Sequence, residues 1–214
     1  MNTPFPYQFI AFEGNIGVGK TTLCNLLAQR HGCALVLEQF TDNPFLPYFY
    51  EQPDRYGFPV ELFFMTERHK QLQEHFATPD LFQSCTVADY FFVKTLLFAK
   101  NNLSEEEFRL FQRLFSVLNA GFPKPDLLVY LHRPILVLME QIQKRGRSIE
   151  QNISAHYLEE LQRAYFEYLK TETETPVIVL DLDRVDFQQD ASAFDEIIGV
   201  LQDQHAPGLH FHRF

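Results

Sequence analysis

A chain of 214 residues, 46% of them hydrophobic, fits one domain with a substantial core. Its formal charge of −10 excludes the broad basic surface that polymeric nucleic acid needs, although a small nucleotide needs only a local basic spot. The start lacks the basic region and long apolar run of a secretory signal, and no apolar stretch approaches transmembrane length, so a cytoplasmic protein off the membrane is expected.

Phe9, Ile10, Ala11 and Phe12 form a short apolar run that predicts a buried strand. Directly after it, Gly14, Asn15, Ile16, Gly17, Val18, Gly19, Lys20 and Thr21 give the spacing G-x-x-x-x-G-K-T, and Thr22 leads a predicted helix to about residue 28. The chemistry requires these residue types. Glycines let backbone N–H groups close around a phosphate, and the helix N-terminus adds unsatisfied donors and partial positive charge. Lys20 would reach the β- and γ-phosphates, and the Thr21 hydroxyl would hold Mg²⁺. A bound nucleotide with Mg²⁺ is the expectation.

Residues 34–37 predict a second strand that delivers Glu38 at its C-terminal end, where ligands of open α/β sheets bind. Residues 41–50, aromatic and broken by proline, predict a loop with a short helix, and a helix over 59–75 follows with Pro59 in its first turn. Residues 85–88 predict a third strand ending at Asp89, an acid in the position that completes a Mg²⁺ site downstream of a P-loop. Cys24, Cys33 and Cys85 show no metal-ligand spacing and are expected as buried free thiols of a reducing compartment.

Ser104 and Glu107 form a capping box that starts a helix to about residue 119. A fourth strand at 127–131 and a helix at 135–144 lead into Lys144, Arg145, Gly146 and Arg147, the densest basic cluster of an acidic chain. Its context predicts a short mobile lid over 144–153 whose guanidinium forks clamp a transferring phosphoryl group. Ser154 opens a helix with Tyr157, Leu158, Leu161, Tyr165 and Leu169 on one face. A fifth strand at 177–180 and a last helix over 192–204 follow. The tail from 205 to 214, with His205, His210 and His212, reads as a frayed terminus, metal ligation being the alternative. Strands alternating with helices predict an α/β fold, a three-layer arrangement of five parallel strands with helices on both faces.

Four segments in order resemble the deoxyribonucleoside kinase family over nearly the whole chain. They are Phe12 to Thr22, like the family's E-G-N-I-G-x-G-K-[ST]-T; Glu38, at its catalytic carboxylate; Phe49 to Phe58, like its Y-E-x-P-x-R-[WY]-x-F segment; and Arg145 to Gln151, like its lid R-G-R-x-x-E-Q. The resemblance implies transfer of the ATP γ-phosphoryl group to a deoxynucleoside 5′-hydroxyl, with Glu38 accepting the proton. It implies Lys20, Arg145 and Arg147 on the phosphates, Tyr50 and Glu150 on the sugar 3′-hydroxyl, and Arg68 with Phe63 and Phe64 in the segment of the base pocket, core packing being the alternative for the two phenylalanines. A homodimer is implied as well, with the Phe-rich segments 91–100 and 108–119 as candidate faces.

Two departures carry information. Glu61 stands where the family usually has Gln. An ionised carboxylate only accepts, which suits guanine's N1–H and N2 amino edge; adenine or cytosine would need a protonated Glu61, a water or another donor such as Arg68. Glu61 and Arg68 could equally pair with each other. The second departure lies at Ala88, Asp89 and Tyr90, where many members carry an acidic-Arg-Ser motif. Ungapped alignment puts Asp89 at the Arg position and a one-residue shift restores it as the acid; Lys94 is a candidate for the missing positive charge. The substrate expected is a deoxypurine. The rivals are a nucleoside monophosphate kinase resembling thymidylate kinase, disfavoured by Glu38, Glu51, Asp54 and Glu61 around the acceptor segment, and a non-catalytic nucleotide switch.

Overall fold

The computed structural model describes residues 4–39, 43–77, 83, 85–183 and 185–214; Thr41 and Asp42 of the predicted loop lie outside them. In chain order the elements are β1 (Phe9–Gly14), α1 (Lys20–His31), β2 (Ala34–Val36), the one-turn α2 (Leu46–Phe49), α3 (Pro53–Ala77), β3 (Thr86–Ala88) and α4 (Lys94–Asn102). Then come α5 (Glu105–Asn119), β4 (Leu127–His132), α6 (Ile135–Arg145), a 3-10 turn (Ser148–Glu150), α7 (Ala155–Thr171), β5 (Pro176–Asp181), α8 (Ala191–Gln202) and β6 (Gly208–Arg213). The sheet runs β2-β3-β1-β4-β5-β6 with every neighbouring pair parallel.

Alternation along the central strands divides the core into two layers. Ile10 and Phe12 of β1, with Leu127, Val129 and Leu131 of β4, meet Leu23 and Leu27 of α1, Leu138 and Ile142 of α6 and Ile197 and Leu201 of α8. Phe9 and Ala11, with Leu128 and Tyr130, face the other way onto Met65 and Leu72 of α3, Leu97 of α4, Phe111 and Phe115 of α5 and Tyr165 and Leu169 of α7. Strands covered on both faces need apolar residues at successive positions, which is why β1 is buried from end to end. Much of the unusual phenylalanine content fills the second layer, where Phe92 stacks on Phe115 with ring centroids 5.1 Å apart.

Three expectations need correction. Among the described residues the sheet has six strands, because the tail read as frayed is β6, in register with β5 from Pro176↔Gly208 to Asp181↔Arg213. Without it the backbone donors and acceptors along the outer edge of β5 would lack strand partners. Its histidines bond locally, His205 Nε2 to the Val200 carbonyl at 2.8 Å and His210 Nε2 to that of Ala206 at 2.7 Å, and among the described residues no cluster able to hold a metal is found. Second, Cys33 and Cys85 are joined in a disulfide, leaving Cys24 as the free thiol. The register Ala34↔Thr86 explains the pairing: the two cysteines immediately precede neighbouring parallel strands, with Cα atoms 4.8 Å apart.

Third, α3 starts at Pro53, so Pro59 lies inside the helix rather than in its first turn. The same helix carries Gly57 against the end of α4, where an added Cβ would lie 2.7 Å from the Asn102 carbonyl oxygen. That close approach holds Asn102 beside the inner face of α3. The capping box is as expected, Ser104 accepting from the Glu107 N–H.

Candidate active site

The loop between β1 and α1 opens at the C-terminal edge of the sheet. Gly14 has φ +144°, and a Cβ there would lie 2.6 Å from the Leu131 carbonyl oxygen of β4, so only glycine lets the chain turn off the strand so close to its neighbour. The N-cap of α1 is Gly19, which has no side chain to cap the helix, and this leaves its first N–H groups for a ligand. Lys20 folds back, Nζ donating to the carbonyls of Gly14 (2.8 Å) and Asn15 (2.9 Å). Burial and then the Lys94 charge pull the Lys20 pKa down to about 8, against the opposing pull of Glu13, Asp89 and Glu38.

Asp89, just past β3, joins this loop to the next functional residue. Its Oδ2 accepts from the Thr21 hydroxyl at 2.5 Å, and its Oδ1 accepts the Glu38 backbone N–H at 2.7 Å. Glu38, past the end of β2, turns into the protein. Its Oε1 accepts from Nε (2.8 Å) and Nη2 (2.6 Å) of Arg68, and its Oε2 accepts from Lys94 Nζ at 2.5 Å. Burial alone would raise the Glu38 pKa, but the charges and hydrogen bonds of Lys94 and Arg68 together outweigh it and hold the carboxyl well below the usual carboxylate range.

A cavity of about 640 Å³ runs from residues 16–22 of the P-loop past Glu38 to a wall formed by α2, α3, α4 and α7. On that wall Glu61 is 1% exposed; Oε1 accepts from Asn102 Nδ2 at 2.6 Å, whereas Oε2 is buried with no partner among the described residues. Burial pushes the Glu61 carboxyl up to about 7, with Glu38 adding to the rise and Arg68 and Asn102 opposing it. The pairing of Glu61 with Arg68 that their spacing allowed is therefore not made: Arg68 holds Glu38 and Thr95, and its guanidinium lies 5.1 Å from the centre of the Phe64 ring. Phe64, Tyr50, Tyr157 and Glu150 line the same space; Phe63 does not. Burial, then the charges of Glu150 and Glu61, raise the Tyr50 pKa.

The basic segment follows α6, with Gly146 at φ 69° turning the chain. Arg145 and Arg147 both line the cavity and both pair with Glu150, Arg147 Nη1 at 3.2 Å from Oε1. The candidate residues at 16–22, Glu38, Tyr50, Glu61, Phe64, Arg68, Asp89, Arg145, Arg147 and Glu150 thus meet around one space, while Gly14 and Asn15 shape the loop behind it. Sequence reasoning missed Asn102 and Tyr157, for which no motif exists. It also missed the far end of the cavity, where Arg133 and residues 185–189 follow β4 and β5; their position beyond strand ends was the available signal.

A glycine cradle, an acid on its threonine and a half-buried carboxylate in the same cavity are the parts of a P-loop phosphotransferase site. A family model described as "Deoxynucleoside kinase" matches residues 10–204, and the chain belongs to that family of ATP-dependent kinases acting on an alcohol acceptor. It is similar to a deoxyguanosine kinase of Bacillus subtilis (strain 168), 35% identical over 95% of this chain and 99% of that one. It is also similar to a deoxyadenosine/deoxycytidine kinase of the same organism, 31% identical over 95% and 94%. Among solved structures, a deoxyadenosine kinase from M. mycoides with bound dATP superposes with a TM-score of 0.78 at 23% identity, covering 92% of this chain and 100% of that one, a likeness of fold. Membership in this family decides against the monophosphate kinase and the switch.

Proposed function

We propose that the chain phosphorylates the 5′-hydroxyl of a deoxypurine nucleoside, with guanine as the preferred base. The observation that carries the base preference is the unpartnered Oε2 of Glu61 in the cavity wall. A buried acceptor left alone costs about 1–3 kcal/mol, so a ligand that brings donors to it gains that amount. Guanine brings two, N1–H and the N2 amino group, and the similarity to a kinase named for deoxyguanosine supports it. Adenine is the second reading, favoured by one observation: a carboxyl with a pKa near 7 is partly protonated at neutral pH and can donate to adenine N1. Initial rates on all four deoxynucleosides test the proposal, with deoxyguanosine expected first, deoxyadenosine second and both pyrimidines at least about tenfold lower. A pyrimidine preference overturns it.

In this reading Glu38 orients the 5′-hydroxyl and takes its proton. A carboxylate held so firmly ionised is a weak base, but the transition state of phosphoryl transfer is loose, and the hydroxyl becomes acidic only as its oxygen bonds to phosphorus. Holding the hydroxyl in line is therefore the larger part of the work. Lys20, Arg145 and Arg147 would neutralise charge on the phosphates, the arginines exchanging Glu150 for phosphate oxygens as residues 144–153 close as a lid over a single 214-residue domain. Glu150 would then be free to meet the sugar 3′-hydroxyl with Tyr50. Thr21 and Asp89 offer two hard oxygen ligands side by side, the donor set that Mg²⁺ takes together with nucleotide phosphates and water. Mg²⁺ bound there would screen the β- and γ-phosphates.

A homodimer is part of the same reading. Phe111 and Phe115 of α5 face the core, while Leu110, Leu114 and Val117 of that helix stand exposed at helical spacing. Light scattering should give twice the 25.1 kDa chain mass, and a monomer at micromolar concentration would remove this element. No helix among the described residues is long and apolar enough to cross a membrane, and we infer cytoplasmic work from the ATP substrate alone, since the disulfide removes the argument from free thiols.

A further inference from the structure

We propose that Lys94 is a positioning residue of the phosphoryl transfer, one that fixes which oxygen of Glu38 meets the nucleoside hydroxyl. The proposal rests on the reading of Glu38 as the carboxylate that receives the 5′-hydroxyl proton. Each oxygen of an ionised carboxylate offers about two lone-pair directions. Oε1 of Glu38 accepts from both Nε and Nη2 of Arg68, at 2.8 and 2.6 Å, which fills it. Oε2 accepts from Lys94 Nζ at 2.5 Å and keeps one direction open. The incoming hydroxyl therefore meets Oε2, the oxygen beside the ammonium.

Position supports this assignment. Lys94 opens α4 immediately after the loop that carries Asp89, so a short stretch of chain fixes both the Glu38 backbone and its side chain. Its side chain is 6% exposed, and Nζ lies 5.3 Å from the centre of the Phe98 ring. Among the described residues Glu38 is the acceptor its ammonium meets, and both residues line the cavity. Arg68 alone grips a single oxygen and leaves the carboxylate able to pivot about that contact. Lys94 pins the second oxygen and stops the pivot.

In the step itself, the 5′-oxygen bonds to the γ-phosphorus as the bond from that phosphorus to the β,γ-bridging oxygen breaks. ADP leaves with that electron pair, and the hydroxyl proton passes to Oε2. A pivoted carboxylate would hold the nucleophile out of line without changing how the sugar and base bind, so the loss falls on kcat.

The test is a double-mutant cycle with Glu38, read as kcat and KM on the full chain with ATP and deoxynucleoside. Lys94→Met should lower kcat about tenfold with the nucleoside KM within about threefold, Lys94→Arg should restore most of the rate, and in the Glu38→Gln background Lys94→Met should add less than about threefold. Should Lys94→Met fail to fold, Lys94→Gln is measured in the same cycle. Equal losses in both backgrounds, or a single variant within about threefold of the parent, overturn the proposal. A Glu38→Gln variant as active as the parent removes the reading of Glu38 instead, so the two failures are separable.

Discussion

Glu38→Gln is expected to lower kcat by roughly a hundredfold or more while deoxynucleoside affinity changes little. Two effects combine. The amide cannot take a proton, so the 5′-hydroxyl must lose its own to solvent. The amide also presents an NH₂ group where the carboxylate presented an acceptor, and both flanking groups, Arg68 and Lys94, are donors only. Whichever way the amide turns, one donor faces another, and the side chain will rotate to relieve it. The in-line hold is then lost along with the base. Binding should survive because the groups proposed to hold base and sugar, Glu61, Phe64, Tyr50 and Glu150, are other side chains of the cavity lining and remain in place. Steady-state rates with calorimetric titration of the nucleoside check both halves, and a kcat within threefold of the parent would sink the assignment.

The chemistry of the site was legible where a backbone constraint forces a residue type. Gly14 is fixed by the approach of the Leu131 carbonyl, and the glycine-rich spacing carries that constraint in the chain itself. Strand ends were legible too, because Glu38 and Asp89 follow short β-branched or apolar runs that form β2 and β3. Asp89, which the sequence allows at two alignment positions, accepts from the Thr21 hydroxyl beside the phosphate loop. What could not be read were relations between elements distant in the chain. Nothing in the α3 pattern says that Gly57 brings Asn102 against Glu61, a contact 41 residues apart. The spacing of Glu61 and Arg68 invited a pair on one helix, yet the charge on Glu38 outcompeted it, since a second strand end delivers a carboxylate to the same guanidinium. The tail failed for a similar reason: β6 has a period-two pattern, but only the free edge of β5 gives it somewhere to pair.

Glu61→Gln should move the ratio of kcat/KM for deoxyguanosine over deoxyadenosine by roughly a hundredfold toward adenine. Asn102 decides the direction. Its Nδ2 donates to Oε1 of Glu61, so a glutamine there turns its oxygen toward Asn102 and its NH₂ toward the cavity. The base edge then meets a donor in place of Oε2. Adenine N1 accepts from it, whereas guanine N1–H faces it donor to donor, and each unpaired buried donor costs about 1–3 kcal/mol. The parent protein adds a check through pH. With a carboxyl near 7, Glu61 is ionised above that pH and protonated below it, so guanine preference should strengthen as pH rises through 7 and adenine turnover should gain as pH falls. An uncharged glutamine cannot titrate, so the variant's ratio should stay flat across the same interval. A ratio unchanged by the substitution, or a pH dependence that persists in it, would mean that the base is read elsewhere on the wall.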